Sequence, residues 1–159
     1  MAVPTTIAEL RAAIKTRLSD LTWPSDSSDL FPGGVITTAA FIPEQLPNIL
    51  DNYPACLVVK GQETTHEENE EFQTTRWSVF PIVYYPMDKS GAMAIEGDKG
   101  LDAMIEQIRT SMKYLQETLD SEVHWVETGG GQVLVRGDVP GASYVGQEIQ
   151  FDVFHMTNT

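Results

Sequence analysis

From position 98 onward the large apolar residues Leu101, Met104, Ile105, Ile108, Met112, Leu115 and Leu119 recur with the period of an α-helix. That spacing gathers them into one stripe and turns the polar residues between them away, so the helix must lay its stripe on an apolar surface. Met104 and Met112 fall on the stripe and read as core filler rather than as a docking face. A second stripe, formed by Ile7, Leu10, Ile14, Leu18 and Leu21, predicts another helix over 5–21. Thr5 or Thr6 can cap its start, Glu9 suits the positive end of the helix dipole, and Trp23-Pro24 ends it.

Between and after the helices the period changes to two. Residues 53–60 read as a strand, 61–71 as a polar, acidic hairpin tip, and 72–85 as a long second strand rich in aromatic and β-branched side chains. In that second strand Trp77, Val79, Val83 and Tyr85 point one way and Phe80, Ile82 and Tyr84 the other. Both faces are therefore apolar near its end: one is expected to meet the helices and the other something else. Pro81 lacks a backbone donor, which predicts an edge position or a bulge. Further strands are expected over 122–127, 132–136 and 144–156, separated by turns at Gly129 to Gly131 and at 137–141. In the last strand Val145, Ile149, Phe151 and Val153 alternate with Gln150 and Asp152. The expected fold is α+β, a single domain over 1–159. One antiparallel or mixed sheet of about four to five strands carries two helices packed on one face.

A Pro-rich loop at 23–52 interrupts this order. Five of the nine prolines lie in 24–54, together with Gly33-Gly34. A loop this long inside a compact domain is unusual, and its apolar residues Leu30, Phe31, Phe41, Ile42, Leu46, Ile49 and Leu50 argue against simple disorder. They must bury in the domain's own core or against a neighbouring copy.

Composition narrows the function more than any motif does. A chain of 159 residues can bury about 70% of the surface exposed by its unfolded form. Its 10 Lys and Arg against 23 Asp and Glu, a formal charge of −13, oppose a sequence-independent grip on nucleic-acid phosphates. DNA is expected only as a passing neighbour. Trp77, Tyr84, Tyr85, Trp125, Tyr144 and Phe154 could stack bases, but without nearby cations core and interface packing is the better assignment. No stretch approaches the roughly 20 apolar residues of a membrane span, and positions 1–10 lack the basic start and apolar run of a signal peptide. The lone cysteine, Cys56, sits in an apolar run and fits a buried thiol in a reducing compartment.

Chemistry finds no foothold in the pattern. Gly129 to Gly131 is followed by no Lys-Ser or Lys-Thr and opens no helix, so it is not a phosphate-cradling loop. His66, Glu67, Glu68, Glu70 and Glu71 match neither zinc nor calcium spacing and read as a solvated acidic loop. His124 and His155 have no recognisable nucleophile partner, and no Gly-x-Ser-x-Gly elbow is present. No catalytic residue, cofactor or metal site is expected.

In series, several segments are similar to the tail terminator, or tail completion, proteins of long-tailed bacteriophages. They are Thr6-Ile7-Ala8-Glu9-Leu10-Arg11 opening the first helix, Asn52-Tyr53-Pro54-Ala55 before a strand, Val83-Tyr84-Tyr85-Pro86 closing the next, the long central helix, and the run from Val145 through Val153. The resemblance implies a small domain that assembles into a hexameric ring in the host cytoplasm and resides at the tail-neck junction of the virion. Such a ring caps the finished tail tube, ends its polymerisation and presents a surface to the head-tail connector or stopper protein. It also implies that no catalytic residues exist to be found. The stretch 23–50 and the tip 63–71 read as additions to that pattern.

A closed ring needs apolar surface on two different patches of one subunit. The candidates are Phe31, Phe41, Ile42 and Leu46 in the loop and Phe80, Ile82, Tyr84 and Tyr85 at the two-sided strand end. Glu63, Glu67, Glu68, Glu70 and Glu71 are candidates for an acidic lumen or a partner-binding loop. Two other assignments fit the same residues: another phage neck or head-tail connector protein, and an acidic monomeric binding or inhibitor module. The inhibitor would need its acids spread along one exposed face, whereas only 63–71 is dense in them.

Overall fold

A computed structural model describes residues 5–40, 52–65, 72–84, 92–119, 123–135 and 144–156. The first helix, α1, spans Ile7–Ser19. Its N-cap is Thr6, whose hydroxyl oxygen accepts from the Glu9 amide at 3.1 Å and donates to the Glu9 carboxylate at 3.1 Å. This satisfies an amide that the helix itself leaves unpaired. A short helix, α2, covers Ala92–Glu96.

The long helix α3 spans Leu101–Met112 rather than running to Leu119. Beyond it a 3-10 turn, Leu115–Thr118, takes over. Arg17 on α1 explains where the chain turns away: its guanidinium donates to the Tyr114 carbonyl, to Thr118 Oγ1 at 2.8 Å and to Glu117 Oε2 at 3.2 Å. Leu115 still reaches the core, so the apolar period outlasts the helix.

Seven strands form one mixed sheet: β1 Val35–Thr37, β2 Ala55–Thr65, β3 Phe72–Tyr84, β4 Val123–Gly129, β5 Gln132–Val135, β6 Tyr144–Gln147 and β7 Ile149–Met156. β1 pairs with β2 in parallel, and the remaining pairs are antiparallel. β2 runs five residues further than its apolar stretch, because β3 supplies a partner for the polar end. One extra residue between Lys60 and Glu63 is absorbed as a bulge.

The C-terminal strands correct the sequence expectation most. Gly129 to Gly131 is not a hairpin turn, since β4 pairs with β7 and β5 with β6. Gly129 faces Gln150 and Gln132 faces Gln147, so both halves keep one register across the glycines. β4 and β5 are therefore one bent strand lying along a second bent strand, β6 and β7. The seven segments amount to five ribbons. The bends meet where the Glu148 amide donates to the Gly131 carbonyl at 2.9 Å.

Pro81 also departs from expectation, for β3 is central, flanked by β2 on one side and by β6 and β7 on the other. The ladder on the β6–β7 side runs to Val79 opposite Ile149 and resumes at Ile82 opposite Gly146. The proline's missing donor falls in that gap, where it leaves the ladder intact.

Both helices pack on one sheet face. Leu10, Ile14 and Leu18 of α1 and Leu101, Met104, Ile105, Ile108 and Met112 of α3 share a core with Cys56, Val58, Trp77, Val79, Ile149, Phe151 and Val153. Each such side chain removed from water contributes about 1.5–3 kcal/mol. A smaller cluster, Ala55, Leu57, Phe80 and Ile82, lies on the opposite face with Ile36, Tyr53 and Val59 against it.

The bend at Gly130 yields a direct test. Its φ is 140°, and a Cβ there would lie 2.0 Å from the Glu148 carbonyl oxygen, whereas one at Gly131 would meet nothing within 4 Å. Gly130→Ala is expected to lower stability to urea by about 1–3 kcal/mol or more, with Gly131→Ala changing it far less. Equal effects at the two positions would contradict the bent-strand geometry.

Candidate functional site

The proposed interface residues divide into those the fold has already buried and those beyond the described residues. Phe31 is 7% exposed and packs into the main core beside Leu30 and Trp23, so it offers no surface to a partner. The 23–40 part of the loop thus spends its large apolar residues internally. Phe80 and Ile82 are 5% and 0% exposed, closed over by the chain itself rather than by a second copy. These three are corrected from interface to interior. Tyr84 ends β3 with its backbone opposite Tyr144. Phe41, Ile42, Leu46, Tyr85, Glu67, Glu68, Glu70 and Glu71 lie outside the described residues.

Glu63 stands at the exposed end of β2, where it accepts from Lys60 Nζ at 2.7 Å. That bond holds its carboxyl below the usual carboxylate range. The bulge explains the contact: by inserting one residue it puts Lys60 and Glu63 on the same face.

The surface that the sequence did not single out lies on the sheet face away from the helices, beyond the small apolar cluster. By register, Phe72, Thr74 and Arg76 of β3, Asp152 and Phe154 of β7, and His124 and Val126 of β4 share it. Phe72 stacks on Phe154 with ring centroids 5.1 Å apart and planes 11° from parallel. Arg76 Nε donates to Asp152 Oδ1 at 3.0 Å, which raises the guanidinium pKa. Val126 is 63% exposed. Polar neighbours in sequence disguise this patch, and only the alternation of β7, extended past Val153 to Phe154, hints at it.

Two open clefts flank α3. One, of about 870 Å³, lies between the Trp23-Pro24 turn and the α2–α3 junction. At its rim Lys99 is drawn to Asp26 at 2.5 Å and to Ser28 at 3.1 Å, and the lysine holds the Asp26 carboxyl far below its ordinary value. The other, of about 520 Å³, is lined by Asp102, Glu106, Arg109 and Gln147. There Arg109 is bound to Glu127 at 2.8 Å and 3.0 Å and to Glu106 at 3.4 Å. In both clefts the charged groups are engaged with one another rather than converging on a common point.

The reactive side chains are equally occupied. Cys56 is fully buried and free, and burial pushes its thiol pKa up, away from the thiolate that nucleophilic chemistry requires. His155, 1% exposed, lies 2.8 Å from Thr75 Oγ1 through Nε2 and 3.2 Å from the Thr5 carbonyl through Nδ1. A carbonyl can only accept, so the neutral ring carries its proton on Nδ1 and donates to Thr5. Thr5 in turn donates its amide to the Met156 carbonyl at 2.8 Å, which ties the start of α1 to the end of β7. Among the described residues no group of three or more His, Cys, Asp or Glu is placed to hold a metal ion. None of their helices is long and apolar enough to cross a membrane. No protein-family model matches the chain, and no curated protein matches it.

Two measurements probe these buried groups. Burial holds the His155 pKa below the ordinary 6.5, with the Thr5 and Met156 backbone and the Glu63 charge opposing it more weakly. The unfolded chain thus takes up the proton first, so the stability His155 contributes is complete above about pH 6.5 and declines as pH falls through that value. Urea unfolding at pH 7.5 and 5.5 is expected to show a larger acid loss in the wild type than in His155→Gln, and parallel pH slopes would refute this. For Cys56, a thiol reagent is expected to label the native protein at least roughly a thousandfold more slowly than the urea-unfolded chain. Rapid labelling without unfolding would place the thiol at the surface instead.

Proposed function

We propose that this protein works by shape: it is a subunit of a hexameric ring that caps the tail tube of a long-tailed phage, ends tube polymerisation and joins the tail to the head connector. The observation that carries the proposal is the division of the sheet. One face is closed by two helices, while the opposite face continues from a small apolar cluster into a patch where, among the described residues, Val126 is exposed and the Phe72–Phe154 stack is half-buried. Among the described strands the β4–β5 ribbon pairs on one side only, so the sheet also ends in an open edge. A partly exposed apolar patch and an open edge are two distinct patches of the kind that a rotating, head-to-tail contact demands. The series of segments resembling tail terminators supplies the identity of the ring.

Charge suits the same role. Six copies each carrying −13 would surround a passage with strong negative potential. Double-stranded DNA could pass through such a lumen without adsorbing to it.

The test is assembly. Native mass measurement across protein concentrations, with and without purified tail tubes, should reveal a species of six times the 17.6 kDa subunit, and electron microscopy should place it at tube ends. A protein that stays monomeric at every concentration and leaves tube ends bare would rule the proposal out.

A further inference from the structure

The indole of Trp77 is fully buried, yet its Nε1–H has no hydrogen-bond partner in the protein. Arg11 on α1 brings a second donor in the same condition: its Nε is buried and unpartnered, and its guanidinium carbon lies 5.5 Å from the centre of the Trp77 ring. Stacking over the ring answers part of the cation's charge but gives neither N–H an acceptor. Buried polar groups are as a rule hydrogen-bonded, because a donor without a partner carries the full cost of leaving water. Two such donors on adjoining side chains therefore mark a place where an acceptor belongs.

Charge decides what kind of acceptor. Arg11 forms no ion pair among the described residues, whereas Arg17, Lys60, Arg76, Lys99 and Arg109 all do. Lys60 stands opposite Trp77 in the β2–β3 ladder, on the same sheet face, but its ammonium is matched by Glu63. The uncompensated charge beside the indole is thus that of Arg11. Both orphan atoms can only donate. A bridging water would accept from them and then carry two O–H groups in need of acceptors of their own, whereas an anion only accepts and also neutralises the guanidinium.

We infer that Arg11 and Trp77 bind a small monovalent anion, of the size of chloride, between α1 and β3. One acceptor taking two N–H bonds of roughly 3 Å each reaches donors up to about 6 Å apart, which suits side chains this close. Trp77 is 0% exposed, so the ligand must be small, while Arg11 is half-buried and leaves an approach at the edge of the helix. An ion shared by the first helix and the central strand binds the folded chain only, and so stabilises it by mass action. The site lies on the helix-covered face and holds whether or not subunits assemble into a ring.

Proton–nitrogen NMR of the three indole groups tests the site on the whole protein. The Trp77 signal is assigned by its loss in Trp77→Phe or, if that variant fails to fold, by elimination with Trp23→Phe and Trp125→Phe. It is expected to move saturably with potassium chloride and to stay in place with potassium gluconate at the same ionic strength. In Arg11→Gln chloride is expected to leave it unmoved. Chloride at about ten times the Kd read from that titration should also raise the wild-type Tm by at least about 2 °C over gluconate, a gain that Arg11→Gln should lose. An indole signal that ignores chloride, or that follows both salts alike, overturns the inference, as does an equal Tm gain in wild type and Arg11→Gln. A cross-peak from the Trp77 indole to water that chloride leaves unchanged would identify a buried water in its place and overturn it too.

Discussion

The strict alternation of side chains along β3 is the constraint from which the rest of the molecule follows. Trp77 and Val79 face the helices, and Arg76, Phe80 and Ile82 face the other way, so one strand belongs to two environments at once. A shift of one residue would exchange the two sets and put Arg76 under the helices. That shift is opposed from both sides by long ladders, with β2 along most of the strand and with β7 from Phe72 to Val79. The helices can then be plain amphipathic rods. Their stripes meet a sheet face already committed to receive them, while the opposite face is left partly uncovered.

What could be read in advance follows from how local each signal is. The stripe of α1, the core side of α3 and the alternation of β7 are each determined within a few residues, and they reappear as buried Leu10, Ile14, Leu18, Met104, Ile108, Phe151 and Val153. The α+β class follows from their order. Gly129 to Gly131 resisted because three glycines permit either reversal or continuation, and the choice between them lies in the partner strand, in a matching bend at Glu148. Pro81 misled for a related reason: a missing donor is costly only where the ladder needs one, and the neighbouring strand is interrupted at that level. The turn that follows α3 is bonded to Arg17, close to a hundred residues away in sequence.

The candidate surface was less legible than the fold. Large apolar residues in a long loop can serve core or interface, and periodicity is silent on which. Phe31 serves the core, since Leu21 and Leu30 join backbones there and draw the loop inward over α1. Conversely, Val126 and Phe154 lie among polar residues, and only the register of β4 on β7 brings them to the same face as Phe72. Buried His155 belongs to the same class: its partners Thr5 and Thr75 are 150 and 80 residues distant.

Electrostatics sets the terms on which such a chain can self-associate. Subunits of −13 repel one another at long range, so association must come from short-range contact that this repulsion only weakens. At physiological salt the Debye length is about 8 Å, which screens the diffuse repulsion between subunits more than it screens partly buried pairs in direct contact. Most cations of the described residues are spent inside the subunit, on Glu117, Glu63, Asp152, Asp26 and Glu127. Internal pairing of this kind stiffens the fold and leaves the surplus acid facing outward. For the ring proposed above, moderate salt is therefore expected to favour closure up to the concentration at which it begins to dissolve the few complementary contacts, giving assembly an optimum in ionic strength rather than a monotonic dependence.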